Sequence, residues 1–151
     1  MVFRKIMAQE PIFEDVRNKH EKVYNDFLKF AEELSFKKEA TKKKSGKAAS
    51  YARYLVRLVI LYEEIFNKEI IDLDTYVALH QLEELENLPG FKKYNQDEGR
   101  FPNATLGCYK LYIVAKHMNQ EEKTDSKLNY SLNNSDTIKN EDAIIKNDND
   151  L

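Results

Sequence analysis

A lysine-rich segment runs into a mostly apolar stretch between Thr41 and Glu64. Lysines attract phosphate oxygens, and a helix N-terminus adds free backbone N–H groups and a favourable dipole. In the helix that follows, the clearly polar strip begins with two arginines one turn apart. Together these groups predict a surface that neutralises phosphates of a nucleic-acid backbone. The predicted contacts are Lys42, Lys43, Lys44, Lys47, Ser50, Tyr51, Arg53, Arg57 and Lys110.

Two of these residues have particular expected roles. Ser50 is predicted to cap the helix by accepting from a backbone N–H two or three residues on, and its backbone would anchor one phosphate. Tyr51, at the helix start beside the lysines, could offer its hydroxyl to a phosphate or stack on a base. Arg100 would extend the surface together with Lys110. Lysines favour phosphate over base edges, so readout of base sequence is expected to be weak.

A simpler interpretation of the same charges stays open. The lysines could decorate a solvated loop between helices, with Arg53 and Arg57 paired to Glu63, Glu64 or acids of the first helix. The sequence pI of about 6.0 favours this interpretation, because autonomous nucleic-acid binders are more often strongly basic. The acidic C-terminal tail, however, lowers the pI without changing the basic segment.

Residues suited to catalysis or metal binding are sparse. His20, His80 and His117 fall on three different predicted helices, without a second ligand at metal-binding spacing. Cys108 lies inside an apolar helical pattern, which indicates packing rather than nucleophilic chemistry. The glycines are isolated, so no phosphate-cradling loop is formed. We therefore predict no enzyme activity, no cofactor and no metal.

Helical periodicity dominates the chain. The pattern predicts a helix from Pro11 to about Phe36, a second after Ser50, a third capped by Asp72 or Asp74, and a last one opened by Asn103 or Thr105. The stretch between Pro89-Gly90 and the last helix is predicted to be a loop. No segment alternates as a strand would. The fold class expected is all-α, a compact bundle of four main helices.

The chain divides by composition into three parts. Residues 1–10 form an N-terminal segment, residues 11–118 a single helical bundle domain, and residues 119–151 a polar tail. The tail carries eight acidic residues against four lysines and few large apolar side chains. It cannot bury enough surface to offset the entropy of ordering it, so we expect it to be disordered.

Two short motifs resemble a known helical module. The stretches "KSGKAASYARYLVRLVILYEE" and "FPNATLGCYKLYI" are similar to the SAM-like core-binding module at the front of tyrosine recombinases and of some restriction endonucleases. The matching positions are Ser50-Tyr51, Tyr54-Leu55, and Leu106 with Tyr109. The resemblance implies that the bundle grips DNA, largely through its backbone. No recombinase or nuclease domain follows, so it implies a free-standing accessory or regulatory module.

Other partners are expected on different grounds. The chain could instead be a protein–protein adaptor or inhibitor encoded by a phage or another mobile element, acting on a nucleic-acid-handling partner. The wide apolar stripe of the first helix would also suit a homodimer. The longest apolar run, Leu58 to Tyr62, is too short to span a membrane. No secretory signal is visible, and a single cysteine cannot form a disulfide within the chain. A cytoplasmic location is therefore predicted.

Overall fold

The computed structural model describes residues 3–39 and 46–132, with side chains described for residues 3–34 and 46–118. All regular structure within these ranges is helical. Six α-helices and one 3₁₀ turn are present there: α1 Pro11–Lys19, α2 Glu21–Glu39, α3 Lys47–Phe66, α4 Tyr76–Glu83, the 3₁₀ turn Glu84–Asn87, α5 Phe91–Asp97 and α6 Phe101–Leu132. The predicted all-α class is thus confirmed, with more helices than the four expected.

Helix α3 forms the centre of the core. Nine of its side chains are buried, among them Val56 and Ile60, which lie outside its main apolar face. Helices α1, α2 and α4 all pack against α3. Aromatic rings fill the space between helices, since Phe27 of α2 meets Tyr109 and Tyr112 of α6 edge to face. The sequence pattern of α3 predicted this central position correctly.

The first predicted helix is divided in two. His20 ends α1 with φ −111° and ψ 34°, and α2 begins at the next residue. Neither glycine nor proline marks this break, so the apolar period runs through it in the sequence. The side chain of His20 is buried at this junction, so the break lies in the packed part of the fold and is not marked by a local breaker.

Several predicted helix starts are wrong. Thr75, not Asp72 or Asp74, caps α4 by accepting the backbone N–H of Ala78 at 3.1 Å. Helix α6 begins at Phe101 rather than at Asn103 or Thr105. The stretch predicted as a loop after Gly90 contains α5. This short polar helix is stabilised through tertiary contacts, because its Phe91 and Tyr94 are buried against Phe3.

The division between two compact units falls within α6, between Ile113 and Val114. In the second unit the described backbone is the continuation of α6 to Leu132, past the predicted domain boundary at residue 118. The remainder of the predicted acidic tail, residues 133–151, lies outside the described residues.

Candidate nucleic-acid interface

The N-terminal end of α3 holds the predicted phosphate-binding residues that the structure describes. The helix begins at Lys47, and Gly46 occupies the N-cap position. Glycine has no side chain with which to cap the first-turn N–H groups. Ser50 is not the cap that the sequence predicted, because its own N–H donates to the Gly46 carbonyl oxygen at 3.1 Å, inside the helix. Lys42, Lys43 and Lys44 lie outside the described residues.

Lys47, Ser50 and Arg53 follow one another at intervals of three residues, so they lie along one side of α3. Lys47 is exposed, and Ser50 and Arg53 are half-buried. The guanidinium Nη2 of Arg53 donates to the Ser50 hydroxyl at 3.3 Å. That hydroxyl is a neutral acceptor, so the contact leaves the positive charge of Arg53 without compensation by a carboxylate of the described residues.

Arg57 has a different environment from Arg53, although the two are only one turn apart. Its Nε donates to the backbone carbonyl oxygen of Ile6 at 2.8 Å. Its guanidinium lies 4.6 Å from the ring centroid of Tyr54 and 5.5 Å from that of Phe13. The planar cation is thus held between two aromatic rings and the N-terminal segment. Arg57 belongs to the packing of the fold.

Tyr54 connects α3 to the end of α5. Its hydroxyl donates to Glu98 Oε1 at 2.7 Å, and its ring stacks on Phe101 with centroids 5.4 Å apart and an interplanar angle of 4°. Burial, followed by the hydrogen bond to Glu98, raises the pKa of Tyr54 to about 12. The phenol therefore stays protonated over the physiological range and acts as a fixed donor.

Tyr51 is also directed partly inward. Its half-buried ring meets Phe101 edge to face, with centroids 5.9 Å apart. The ring that was expected to stack on a base therefore already contacts an aromatic ring of the protein. The same Phe101 contacts both tyrosines, so the start of α6 fixes the first two turns of α3.

Lys110 lies exposed on α6, and its charge acts on the carboxyl of Glu86. Partial burial raises the pKa of Glu86, the neighbouring charge of Glu83 raises it further, and Lys110 opposes both effects. The described interactions therefore connect Lys110 to an acidic stretch of the chain. Arg100, with φ 66° before α6, is exposed.

A cleft of about 530 Å³ lies between the N-terminal segment and α5. Its walls carry both signs of charge, from Lys5 and Lys93 on one hand and Asp97 and Glu98 on the other. Lys93 Nζ pairs with Asp97 at 2.9 Å. Balanced charge of this kind gives no net attraction for phosphate, so the cleft is not part of the candidate interface.

Sequence reasoning missed the contacts that distinguish the two arginines. Arg57 meets Ile6 across 51 positions of the chain, and Tyr54 meets Glu98 across 44. The helical spacing of residues shows which side chains share a face of a helix. It does not show which segment, distant in the sequence, packs on that face. The sequence pattern likewise did not predict the ion pair between Arg4 and Glu64, in which Nη2 and Oε2 are 2.9 Å apart.

Neither protein-family models, nor curated proteins, nor solved structures gave a match to this chain. Within the described residues, no three or more His, Cys, Asp or Glu side chains are grouped so that they could hold a metal ion. No helix of that part of the chain is both long and apolar enough to cross a membrane.

Proposed function

We propose that the chain is a non-enzymatic helical module that binds a nucleic-acid backbone through the N-terminal end of α3. Lys47, Arg53 and the lysines at positions 42–44 neutralise phosphates, and the first-turn N–H groups after Gly46 receive one of them. Such a module acts in the cytoplasm as an accessory or regulatory protein. The resemblance to SAM-like DNA-gripping modules supports the same proposal.

The observation that carries the proposal is the contrast between Arg53 and Arg57. Arg57 is engaged by the Ile6 carbonyl and two rings, whereas the hydrogen bond of Arg53 goes to a neutral hydroxyl. An arginine held in place by a hydroxyl keeps donors and charge for a phosphate. Lys47 stands exposed two turns before it, at the uncapped helix end.

Fluorescence anisotropy with labelled double-stranded DNA, single-stranded DNA and RNA tests the proposal, titrated at low and physiological salt. We expect micromolar binding that weakens steeply as salt rises, because counterions are released from each neutralised phosphate. Duplexes of unrelated sequence should bind with similar affinity, since the contacts are to phosphate.

Matched charge reversals locate the surface. Lys47→Glu should lower affinity and reduce the slope of log affinity against log salt by about 1. Lys68→Glu is the control, because this exposed lysine follows α3 at its other end, about 30 Å away, and changes net charge equally. Reversing Lys43 and Arg53 together should abolish binding. Equal loss in the Lys68 variant, or no binding at low salt, would contradict the proposal.

A further inference from the structure

Residues 69–91 form an acidic stretch that the proposed phosphate surface does not include. They contain six carboxylates and no lysine or arginine: Glu69, Asp72, Asp74, Glu83, Glu84 and Glu86. Glu69 is paired with Lys19 of α1, and Lys110 of α6 acts on Glu86. Asp72, Glu84 and Glu86 are exposed, so the stretch presents negative charge that disfavours polyanions.

Large apolar side chains stand exposed within this acidic stretch. Ile71 is 80% exposed, Val77 68% and Tyr76 40%. A single exposed apolar residue is ordinary on a protein surface, but three within seven positions form a local group. The neighbours Ile70, Leu73 and Ala78 are buried, so the backbone here is anchored to the core and the exposed residues have a fixed position.

A tight turn lies between Ile71 and the pair Tyr76 and Val77. The Thr75 hydroxyl donates to the Asp72 carbonyl oxygen at 2.9 Å and accepts the Ala78 N–H at 3.1 Å. The Asp74 N–H donates to Asp72 Oδ1 at 3.0 Å. Ile71 therefore precedes, and Tyr76 and Val77 follow, a turn that these three hydrogen bonds fix.

The solvent face of helix α4 is apolar near the start of the helix and acidic at its C-terminal end. Val77, His80 and Glu84 recur at helical spacing and are all exposed, so they share the solvent face. Because α4 has eight residues, Glu84 lies about 12 Å from the start of the helix. Carboxylates at the C-terminal end of a helix meet the negative end of its dipole, which leaves this end of the surface unfavourably negative.

We infer that the acidic stretch around Ile71, Val77 and Glu84 is a docking surface for a basic amphipathic helix of another protein. Apolar side chains of that helix would cover Ile71, Tyr76 and Val77, and its lysines or arginines would reach Glu84 and Glu86 about two turns further along. Charge complementarity selects a basic partner, because an acidic peptide or a nucleic acid is repelled by the exposed carboxylates of Asp72 and Glu84. This inference is independent of the proposed phosphate surface on α3.

The test uses the full chain and a fluorescently labelled peptide of leucine and lysine patterned as an amphipathic helix. A peptide of the same composition but scrambled order, and a leucine–glutamate peptide, serve as comparisons. We expect binding of the patterned basic peptide to be at least about tenfold tighter than that of either comparison. Ile71→Asp and Val77→Asp should each weaken it about tenfold, and Glu84→Lys should weaken it in a salt-dependent way.

Leu111→Asp is the matched control. This leucine of α6 is 48% exposed and lies outside residues 69–91, so its replacement introduces the same charge at a position that is not part of the acidic stretch. All substituted positions are exposed, and far-ultraviolet circular dichroism checks that each variant keeps the helical fold. Unchanged affinity in the Leu111 variant together with loss in the Ile71 and Val77 variants would support the docking surface.

Three results would overturn the inference. Binding could fail for the patterned peptide, the scrambled peptide could bind equally well, or the Leu111 variant could lose as much affinity as the Val77 variant. A fourth concerns a different occupant. If Ile71→Asp and Val77→Asp instead convert a dimer to a monomer in light scattering of the chain alone, a second copy covers the surface. None of these results would alter the expected nucleic-acid titration.

Discussion

Arg57 and Ile6 are joined by a hydrogen bond of 2.8 Å from the guanidinium Nε to the backbone carbonyl oxygen. The side chain of Ile6 is itself buried, at 2% exposure. The N-terminal segment is held further by Arg4, whose hydrogen bonds to Glu64 and then Glu10 raise the pKa of its guanidinium above the usual value. Helix α3 therefore fixes the N-terminal segment through its polar strip while it packs the core with its other sides.

Replacing Arg57 by methionine should destabilise the fold. The variant loses the bond to Ile6 and two cation–aromatic contacts but keeps the packed stem, so the free energy of unfolding should fall by about 1–3 kcal/mol. Urea unfolding measures this loss. Trypsin should also cleave faster after Arg4 and Lys5, because the N-terminal segment is less firmly held.

Arg53→Met is the matched variant on the same helix. The hydrogen bond of Arg53 to Ser50 is long, at 3.3 Å, and its acceptor is neutral, so its loss should change the free energy of unfolding by less than about 0.5 kcal/mol. Nucleic-acid affinity should show the reverse order, falling for the Arg53 variant and persisting in the folded Arg57 variant. Equal destabilisation by the two substitutions would show that the described contacts of Arg57 do not stabilise the fold.

Tyr54→Phe should cost about 1–2 kcal/mol of unfolding free energy, because the hydroxyl that donates to Glu98 is lost while the ring stacked on Phe101 stays. The pKa of Tyr54, raised to about 12, lies above the ordinary value of 10.0, so this contribution is complete below pH 10 and is lost as pH rises toward 12. A double-mutant cycle with Glu98→Gln, measured by urea unfolding at neutral and alkaline pH, isolates the pair. Additive effects of the two substitutions would rule out the coupling.

Tyr94→Phe removes the same atom from a different environment. The hydroxyl of Tyr94 is buried without a hydrogen-bond partner among the described residues, and burial raises its pKa above the usual range. Its ring stacks on Phe3 with centroids 5.3 Å apart, a contact that phenylalanine keeps. Because an unpaired buried hydroxyl is unfavourable, the variant should equal the parent in stability or exceed it by up to about 1 kcal/mol. A clear loss in the same urea assay would mean that the hydroxyl is paired.

The sequence predicts the fold where a long apolar period decides the structure. The central position of helix α3 could be predicted because apolar residues occupy most of its circumference. The burial of Cys108 was likewise predicted from its apolar surroundings. The break at His20 and the short helix α5 were missed. Helix α5 depends on a contact that is distant in the sequence, the packing of Phe91 on Phe3.

The candidate site is less predictable for a related reason. Lys47, Ser50 and Arg53 do share a side of α3, as helical spacing requires. Arg57 satisfies the same spacing, yet a carbonyl oxygen from the N-terminal segment occupies its Nε. A residue pattern gives the direction of a side chain on its helix, while its availability depends on segments far away in the chain. The three-dimensional contacts are needed to separate a binding arginine from a packing one.

His20 should make the stability of the fold sensitive to mild acid. Its side chain is 7% exposed and its Nε2 is buried without a partner among the described residues. Burial is the main cause of its lowered pKa, and Lys19 lowers it further, while Glu63, Asp72 and Glu69 act in the opposite direction. The junction of α1 and α2 therefore holds a neutral imidazole.

The sign of the pH effect follows from the direction of this shift. Below the ordinary pKa of 6.5 the unfolded chain binds a proton at His20 that the folded chain does not, so unfolding is favoured as pH falls through 6.5 toward the folded pKa. Urea unfolding between pH 8 and about pH 5 should show this loss, and His20→Gln should flatten it. A parent profile that is flat through this range, or unchanged by His20→Gln, would mean that the buried imidazole accepts its proton without cost to the fold.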